Sequence, residues 1–407
     1  MEDYSFFWQI SNLPLWTVLI KRSKKGKYVF AKNRLIHWPK QNINKERHLL
    51  PPSRKKMDAK VLFMESEARR AVAAAGKSAL TECAVGVLTL AGGVGSRLGF
   101  SGPKGAFEID TSRGKRSLFE MQAEKVGILP WAILVSPKTK EATISHLKSQ
   151  VFQSTQRKSV YLIEQEEVEA LSLAGEVLLQ GDGAPVRMPN GNGSVFRAVH
   201  SSPVFQLTEG ALAQVPGSLI QVLESQGVQS LNIVSVDNVL VRIADPLMLG
   251  WLAQASLEVV SAAVPIPEGA QMGVFVQEGG SATICEYIDQ PQGAALRNKQ
   301  GVTLGNIANH LVSLSFLGTM NHGLLKYHEA IKKIPHAKEE HPTTPNGIKR
   351  ELFIFDGFNL SKHHGVVEYS SNAYEGLKNK EGPRDSVASC TQALLSGNGE
   401  IQGAGRE

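Results

Sequence analysis

Between Leu90 and Gly105 the sequence reads L-A-G-G-V-G-S-R-L-G-F-S-G-P-K-G. Glycines that follow a buried strand let the backbone approach a phosphate and aim several N–H groups at it. Arg97 and Lys104 are the cations of this loop. Arginine grips phosphate through a planar fork and lysine acts as a point charge, so both suit a polyphosphate. Two common phosphate loops are excluded. The G-x-x-x-x-G-K-[ST] pattern is absent, and the dinucleotide spacing G-x-G-x-x-G fails because Leu98 stands where the third glycine belongs. A second candidate is Asp237, in V-S-V-D-N-V-L-V at 234–241, placed at the end of an apolar run. A carboxylate there either holds a divalent cation that bridges phosphates or caps a turn. A third is M-P-N-G-N-G-S-V-F-R-A at 188–198, whose two Asn-Gly steps make a tight loop with exposed backbone groups. Asn192 offers both donor and acceptor, although most such strings are plain surface turns.

These residues need elements to hold them. Val85–Leu90 is a short apolar run that stops abruptly at Gly92 and Gly93, the pattern of a buried parallel strand. Ala132–Val135, Val160–Ile163, Leu231–Val236 and Val259–Val264 read the same way. Helical segments lie between several of them. One spans Glu65 to Lys77, rich in Ala, Glu and Arg; another begins at Ser117, three residues before Glu120, as a capping box. Alternating strands and helices predict an α/β fold with a doubly wound, mostly parallel sheet and helices on both faces. Ligands of such sheets bind beyond the carboxyl ends of the strands, which is where the glycine loop and Asp237 fall. Residues 1–56 show no clear periodicity and are read as a poorly ordered N-terminal extension. Residues 57–395 are read as the catalytic domain and 396–407 as a frayed, glycine-rich tail.

The charge is +6, from 44 basic and 38 acidic residues in 407. That balance suits a phosphate-handling protein. Its one basic cluster, Lys21 to Lys27, reads as a solvated face and not as a stripe for nucleic acid. Cys83, Cys285 and Cys390 follow no metal-ligand spacing and fit a reducing compartment. The apolar run Trp8–Ile20 is interrupted and too short to span a bilayer, and its lysines follow it, opposite to a secretory signal. A cytoplasmic protein that binds neither membrane nor nucleic acid is expected.

The run L-A-G-G-x-G-[ST]-R-L-G…P-K-G resembles the signature of the UDP-N-acetylhexosamine pyrophosphorylases, a branch of the UDP-sugar pyrophosphorylases. The segment at 188–198, V-D-N-x-L around Asp237, E-Y at 286–287, G-N-I-A-N-H at 305–310, P-N-G-I-K-x-E-x-F-x-F-D at 345–356 and G-L-K-N at 376–379 continue the likeness in order. Together they cover roughly residues 65–395. The resemblance implies a Rossmann-like nucleotidyltransferase. It implies that Leu90, Ala91, Gly92, Gly93, Gln165, Gly191 and Asp237 meet the nucleotide. It implies that Asn192, Gly273, Glu286, Tyr287 and Asn306 meet the sugar, with Phe353 and Phe355 walling its pocket or packing the core. Arg97, Lys104 and Lys378 are implied at the phosphates, with magnesium at Asp237. Nothing in the likeness makes His310 a base; a structural histidine is expected.

The implied reaction joins UTP and N-acetylglucosamine 1-phosphate to UDP-N-acetylglucosamine, releasing pyrophosphate. The attacking phosphate oxygen is already an anion, so no general base is needed, and the chain shows no Ser/His/Asp or Cys/His set. Some positions depart from the pattern. Val94 and Ser96 replace the usual Gln and Thr, and Val264-Pro265 stands where a Glu-Lys pair is expected. A glucose 1-phosphate enzyme, a broader UDP-sugar pyrophosphorylase and a non-catalytic sugar-nucleotide sensor stay open, as does the oligomeric state.

Overall fold

The computed structural model describes residues 18–22, 28–32, 61–62, 66–82, 84–266, 272–278, 281–286, 294–320, 323 and 325–396. The chain divides into two compact units, residues 1–56 and 57–407. In the first, the described residues form one antiparallel pair, Val18–Arg22 with Tyr28–Lys32, where the sequence shows no clear periodicity.

The second unit is a mixed α/β fold around a 13-stranded sheet. Its main path uses β1 (Val61–Leu62), β2 (Val85–Leu90), β3 (Trp131–Val135), β4 (Ser159–Glu164), β5 (Val204–Thr208), β6 (Leu212–Val215), β7 (Ser230–Ser235), β8 (Val259–Pro265), β9 (Leu304–Ser313) and β10 (His364–Glu368). The spatial order is β6-β5-β4-β3-β2-β7-β9-β8-β10-β1, and along it only β5 and β9 run against the rest. All five apolar runs singled out in the sequence are strands of this path. Each is mainly apolar because it is covered on both sides, and the polar Thr89, Asn232 and Ser261 within them are buried.

Alternation along the strands divides the core in two. Val85, Val87, Ile133 and Val135 join one cluster with Leu118 and Phe119 of helix α2 (Leu118–Val126). Leu88, Ala132, Leu134 and Ile233 join the other with Val195 and Phe196 of α3 (Val195–Ser201) and Leu219 and Leu223 of α4 (Leu219–Ser225). Helices therefore pack on both faces. The cap expected at Ser117 forms: its Oγ accepts from Glu120 N at 3.2 Å, and Glu120 Oε2 accepts from Ser117 N at 2.8 Å.

Two internal constraints lie away from the cleft. Helix α5 (Pro246–Gln254) crosses the Ala-rich helix, Ser66–Thr81, at two glycines. A Cβ on Gly76 would sit 1.9 Å from Pro246 O, and one on Gly250 would sit 1.9 Å from Val72 O. The expected cost of Gly250→Ala is therefore the upper range for overpacking, about 3 kcal/mol, read from the urea midpoint.

The second constraint joins β8, β9 and β10. Ser261 Oγ lies 2.7 Å from His310 Nδ1 and 2.7 Å from His364 Nε2, with all three side chains buried. Burial, helped by the neighbouring His364, pushes His310 down to about 3, and burial pushes His364 down to about 4. Both rings are neutral when folded and take up protons near pH 6.5 when unfolded. Unfolding is then favoured progressively as pH falls from about 6.5 towards 4, by about 1.4 kcal/mol per pH unit for each imidazole. Denaturant titrations from pH 7 to 4.5 should show this loss, and His364→Gln should flatten its slope by about one proton.

Candidate active site

From β2 the sheet runs through β3 and β4 on one side, while β7 lies on the other. Neighbouring connections diverge there, and the carboxyl ends of β2 and β7 flank a crevice, the usual binding place in open α/β sheets. A cleft of about 350 Å³ occupies it, lined by Leu90, Gly92, Gly93, Lys104, Gln165, Gly191, Asn192 and Asp237. Eight residues selected from sequence thus converge from five separate segments.

Local hydrogen bonding explains how. After β2 the chain makes a single 3₁₀ turn, Ser96–Leu98, closed by Gly99 at φ 71°. It then folds back, with Gly95 N donating to Gly102 O at 3.0 Å and Lys104 N to Gly93 O at 3.0 Å. The return leg delivers the Lys104 side chain to the end of β7. At Gly92 a Cβ would fall 2.7 Å from the Gln165 carboxamide, so a larger residue there would displace that side chain.

Asp237 is the electrostatic centre. Its Oδ2 accepts from Lys104 Nζ at 3.1 Å and its Oδ1 from Ser235 Oγ at 2.6 Å. Burial alone would raise its pKa; the Lys104 charge, the Ser235 hydroxyl and the Lys378 charge outweigh that and hold it below the ordinary carboxylate value. Asp237 is therefore an anion at neutral pH. Residues 373–380 are knitted to this turn, with Leu377 N donating to Asp237 O at 2.9 Å and Val239 N to Glu375 O at 3.0 Å. Lys378 itself pairs with Asp385 at 3.1 Å and lies over the Tyr374 ring.

On the opposite wall Gly191, at φ 78°, lies so close to Leu352 that a Cβ would meet its carbonyl oxygen at 2.4 Å. Asn192 Oδ1 accepts from Ile354 N at 3.0 Å. A second group forms around Gly273, whose carbonyl accepts from Asn306 N at 2.8 Å. Glu286 Oε1 would be 3.2 Å from a Cβ on Gly273. Asn306 is joined to the cleft by Ala308, whose N–H it accepts at 2.9 Å and which lines the wall. Tyr287 lies outside the described residues. Phe353 and Phe355 stack with ring centroids 5.1 Å apart, Phe355 buried in the core and Phe353 half-buried against His328.

Not every selected residue reaches the cleft. Arg97 is exposed on the 3₁₀ turn and is not among the lining residues; its backbone carbonyl accepts from Lys380 N at 3.2 Å. Ala91 is buried behind the loop, and Lys378 is placed beside Asp237 outside the lining. His310 is in the core, as described. Five further polar residues line the cleft: Ser136, Lys138, Ser235, Lys349 and Glu351. Ser136 and Lys138 directly follow β3, so the rule that pointed to Asp237 applies to them equally. Lys349 pairs with Glu351 at 2.6 Å inside P-N-G-I-K-x-E, where attention fell on the phenylalanines. Among the described residues no group of three or more His, Cys, Asp or Glu side chains is placed to hold a metal. Two carboxylates among the described residues line the cleft, Asp237 paired with Lys104 and Glu351 paired with Lys349.

The family model for UTP–glucose-1-phosphate uridylyltransferase matches residues 29–349. The chain belongs to this family. The human UDP-N-acetylhexosamine pyrophosphorylase-like protein 1 is 30% identical, over 88% of this chain and 73% of that protein. A probable UDP-N-acetylglucosamine pyrophosphorylase of Schizosaccharomyces pombe is 33% identical, over 77% of this chain and 70% of that one. A crystal structure of the uridine diphosphate N-acetylglucosamine pyrophosphorylase from Trypanosoma brucei in complex with inhibitor matches with a TM-score of 0.69 and 26% identity, over 81% of this chain and 68% of that one. The chain spans 63 to 73% of the length of four such curated relatives. Among its described residues no helix is long and apolar enough to cross a membrane.

Removing Lys104 leaves a half-buried carboxylate without its nearest cation. Lys104→Met should lower stability at pH 7 by about 1.5–3 kcal/mol, the range for hydrogen bonds to charged groups. Adding Asp237→Asn should return part of that loss in urea unfolding, since the unpaired charge is then gone.

Proposed function

We propose that the protein is a nucleotidyltransferase of the Rossmann-like type that joins UTP and N-acetylglucosamine 1-phosphate, yielding UDP-N-acetylglucosamine and pyrophosphate. One observation carries this reading: an ionised Asp237 at the switch point, faced by Lys104 and a glycine loop, is continuous with the polar group of Asn306, Gly273 and Glu286. The names of the relatives at 30% identity or above support the acetylated sugar.

The sugar phosphate oxygen attacks the α-phosphorus of UTP in line, and pyrophosphate leaves. The site must hold two repelling anions together and stabilise charge as it moves, which calls for fixed cations and N–H groups. The glycine loop and Lys104 supply these from one wall, and Lys138 and Lys349 stand on the same cleft. Gln165 and Leu90 suit the uracil end; Gly191 and Asn192 lie between nucleotide and sugar. Lys378 stays near Asp237, and Arg97 reaches the phosphates from the rim. A magnesium ion fits a single ionised carboxylate completed by phosphate oxygens, so Asp237 would hold it and it would neutralise charge on the leaving pyrophosphate. Residues 57–395 carry this chemistry, in the cytoplasm and without nucleic acid or membrane as partner.

Pyrophosphate release over a panel of sugar 1-phosphates and the four nucleoside triphosphates tests the reading. The expected result is turnover with UTP and N-acetylglucosamine 1-phosphate. Preference for glucose 1-phosphate would move the assignment to the glucose enzyme, and tight UTP binding without release would make the protein a sensor. Lys378→Met and Asp237→Asn should each lower kcat about 100-fold or more.

A further inference from the structure

The strand that brings Asn306 to the cleft is bulged. β9 pairs with β8 through Ser261↔His310 and resumes at Ala263↔Asn306. A single residue of β8, Ala262, therefore stands opposite Ile307, Ala308 and Asn309, so β9 swells towards the cleft there. Ala308 takes a φ of 50°, a region that costs a residue with a Cβ and persists only where the surroundings enforce it.

Two buried amides meet at the bulge, Asn309 within it and Asn232 on the neighbouring β7, each 1% exposed. Asn232 Nδ2 donates to Asn309 Oδ1 at 2.8 Å and to His310 O at 2.9 Å. Asn309 Nδ2 donates to Arg242 O at 2.8 Å, and Asn232 Oδ1 accepts from Ala244 N at 2.7 Å. Ala244 is itself at φ 51°. The pair thus fastens two strained alanines, one in the segment that follows Asp237 and one in the bulge that carries Asn306. Neither amide lines the cleft.

We infer that Asn232 and Asn309 are positioning residues that fix the sugar-facing bulge relative to the Asp237 turn, and so set recognition of the sugar 1-phosphate. This rests on the proposed function, in which Asn306 faces the sugar. Through three buried hydrogen bonds and a part-buried fourth to the carbonyl of the exposed Arg242, displacement of the bulge is transmitted to Ala308 and Asn306, while the glycine loop and Gln165 are left in place. The nucleotide end should not feel it.

The test is steady-state kinetics of Asn309→Ala and Asn309→Ser, each with and without Ala308→Gly. The second substrate is the sugar 1-phosphate that the wild-type protein turns over best. The expected KM for that sugar rises about 10-fold, the size of losing one buried hydrogen bond. The KM for UTP should stay within about 2-fold. Ala308→Gly should restore part of the sugar KM, because glycine takes φ 50° without the penalty. Equal changes in both KM values, no change, absence of rescue, or failure of both Asn309 variants to fold by circular dichroism would overturn the positioning role. A wild-type protein inactive on every sugar 1-phosphate would instead sink the functional reading, an outcome separate from these.

Discussion

The contact between Lys104 Nζ and Asp237 Oδ2 joins two segments that are 133 residues apart in sequence. One comes from the glycine loop beyond β2 and the other from the end of β7, so the contact spans the mouth of the crevice. It needs both strands to end at the same level, and they do, since β2 and β7 are parallel and in register from Val85↔Ser230 to Leu90↔Ser235. Partial burial alone would make this carboxylate resist ionisation. Lys104, Ser235 and Lys378 together keep it charged, which gives the cleft a fixed anion beside the glycine loop.

The rest of the sheet supports that level. Trp131 Nε1 donates to Thr89 Oγ1, Thr89 Oγ1 donates to Gln122 Oε1, and Gln122 Nε2 donates to Ser235 O. This chain ties the start of β3 to the ends of β2 and β7 through Gln122 of α2. A half-satisfied chain of this kind would cost more than an apolar replacement, so its members act as a unit. Lys125 extends the same logic by donating to the carbonyls of Val239 and Val241, just beyond the Asp237 turn. Burial pushes its pKa down to about 8. The ends of β2 and β7 are thus fixed by hydrogen bonds, and their middles by packing on both faces.

Such rigidity suits group transfer between two anions. Preorganised cations and N–H groups need not rearrange as charge moves, which is the main source of rate in reactions without a general base. The proposed sugar end is built differently. It depends on strained backbone at Ala308 and on glycines at 191 and 273 that allow close approach. Ala308 is held by an amide side chain, Asn306 Oδ1 on its N–H, and the two glycines by backbone and hydroxyl hydrogen bonds, with no ion pair among them.

Much of the architecture was legible in the residues. Mainly apolar runs marked five strands of the sheet because strands covered on both faces have no polar side to show. The glycine loop, Asp237 and the capping box at Ser117 were legible because each is a local feature with a local physical cause. Arg97 and Lys104 looked alike in sequence, as cations flanked by glycines. Only the return of the loop, closed by Gly95, Gly99 and Gly102, decided that Lys104 enters the cleft and Arg97 stays on the rim. Lys138 and Lys349 were not singled out, since a lone lysine carries no signal until a strand end places it. The Asn232–Asn309 pair lies still further from sequence. Two asparagines 77 residues apart mean nothing until β7 and β9 pair, and the bulge they fasten exists only where β8 fails to match β9 residue for residue. Local chemistry was set by residue type and spacing; which of those groups meet was decided by strand order and by where each strand ends.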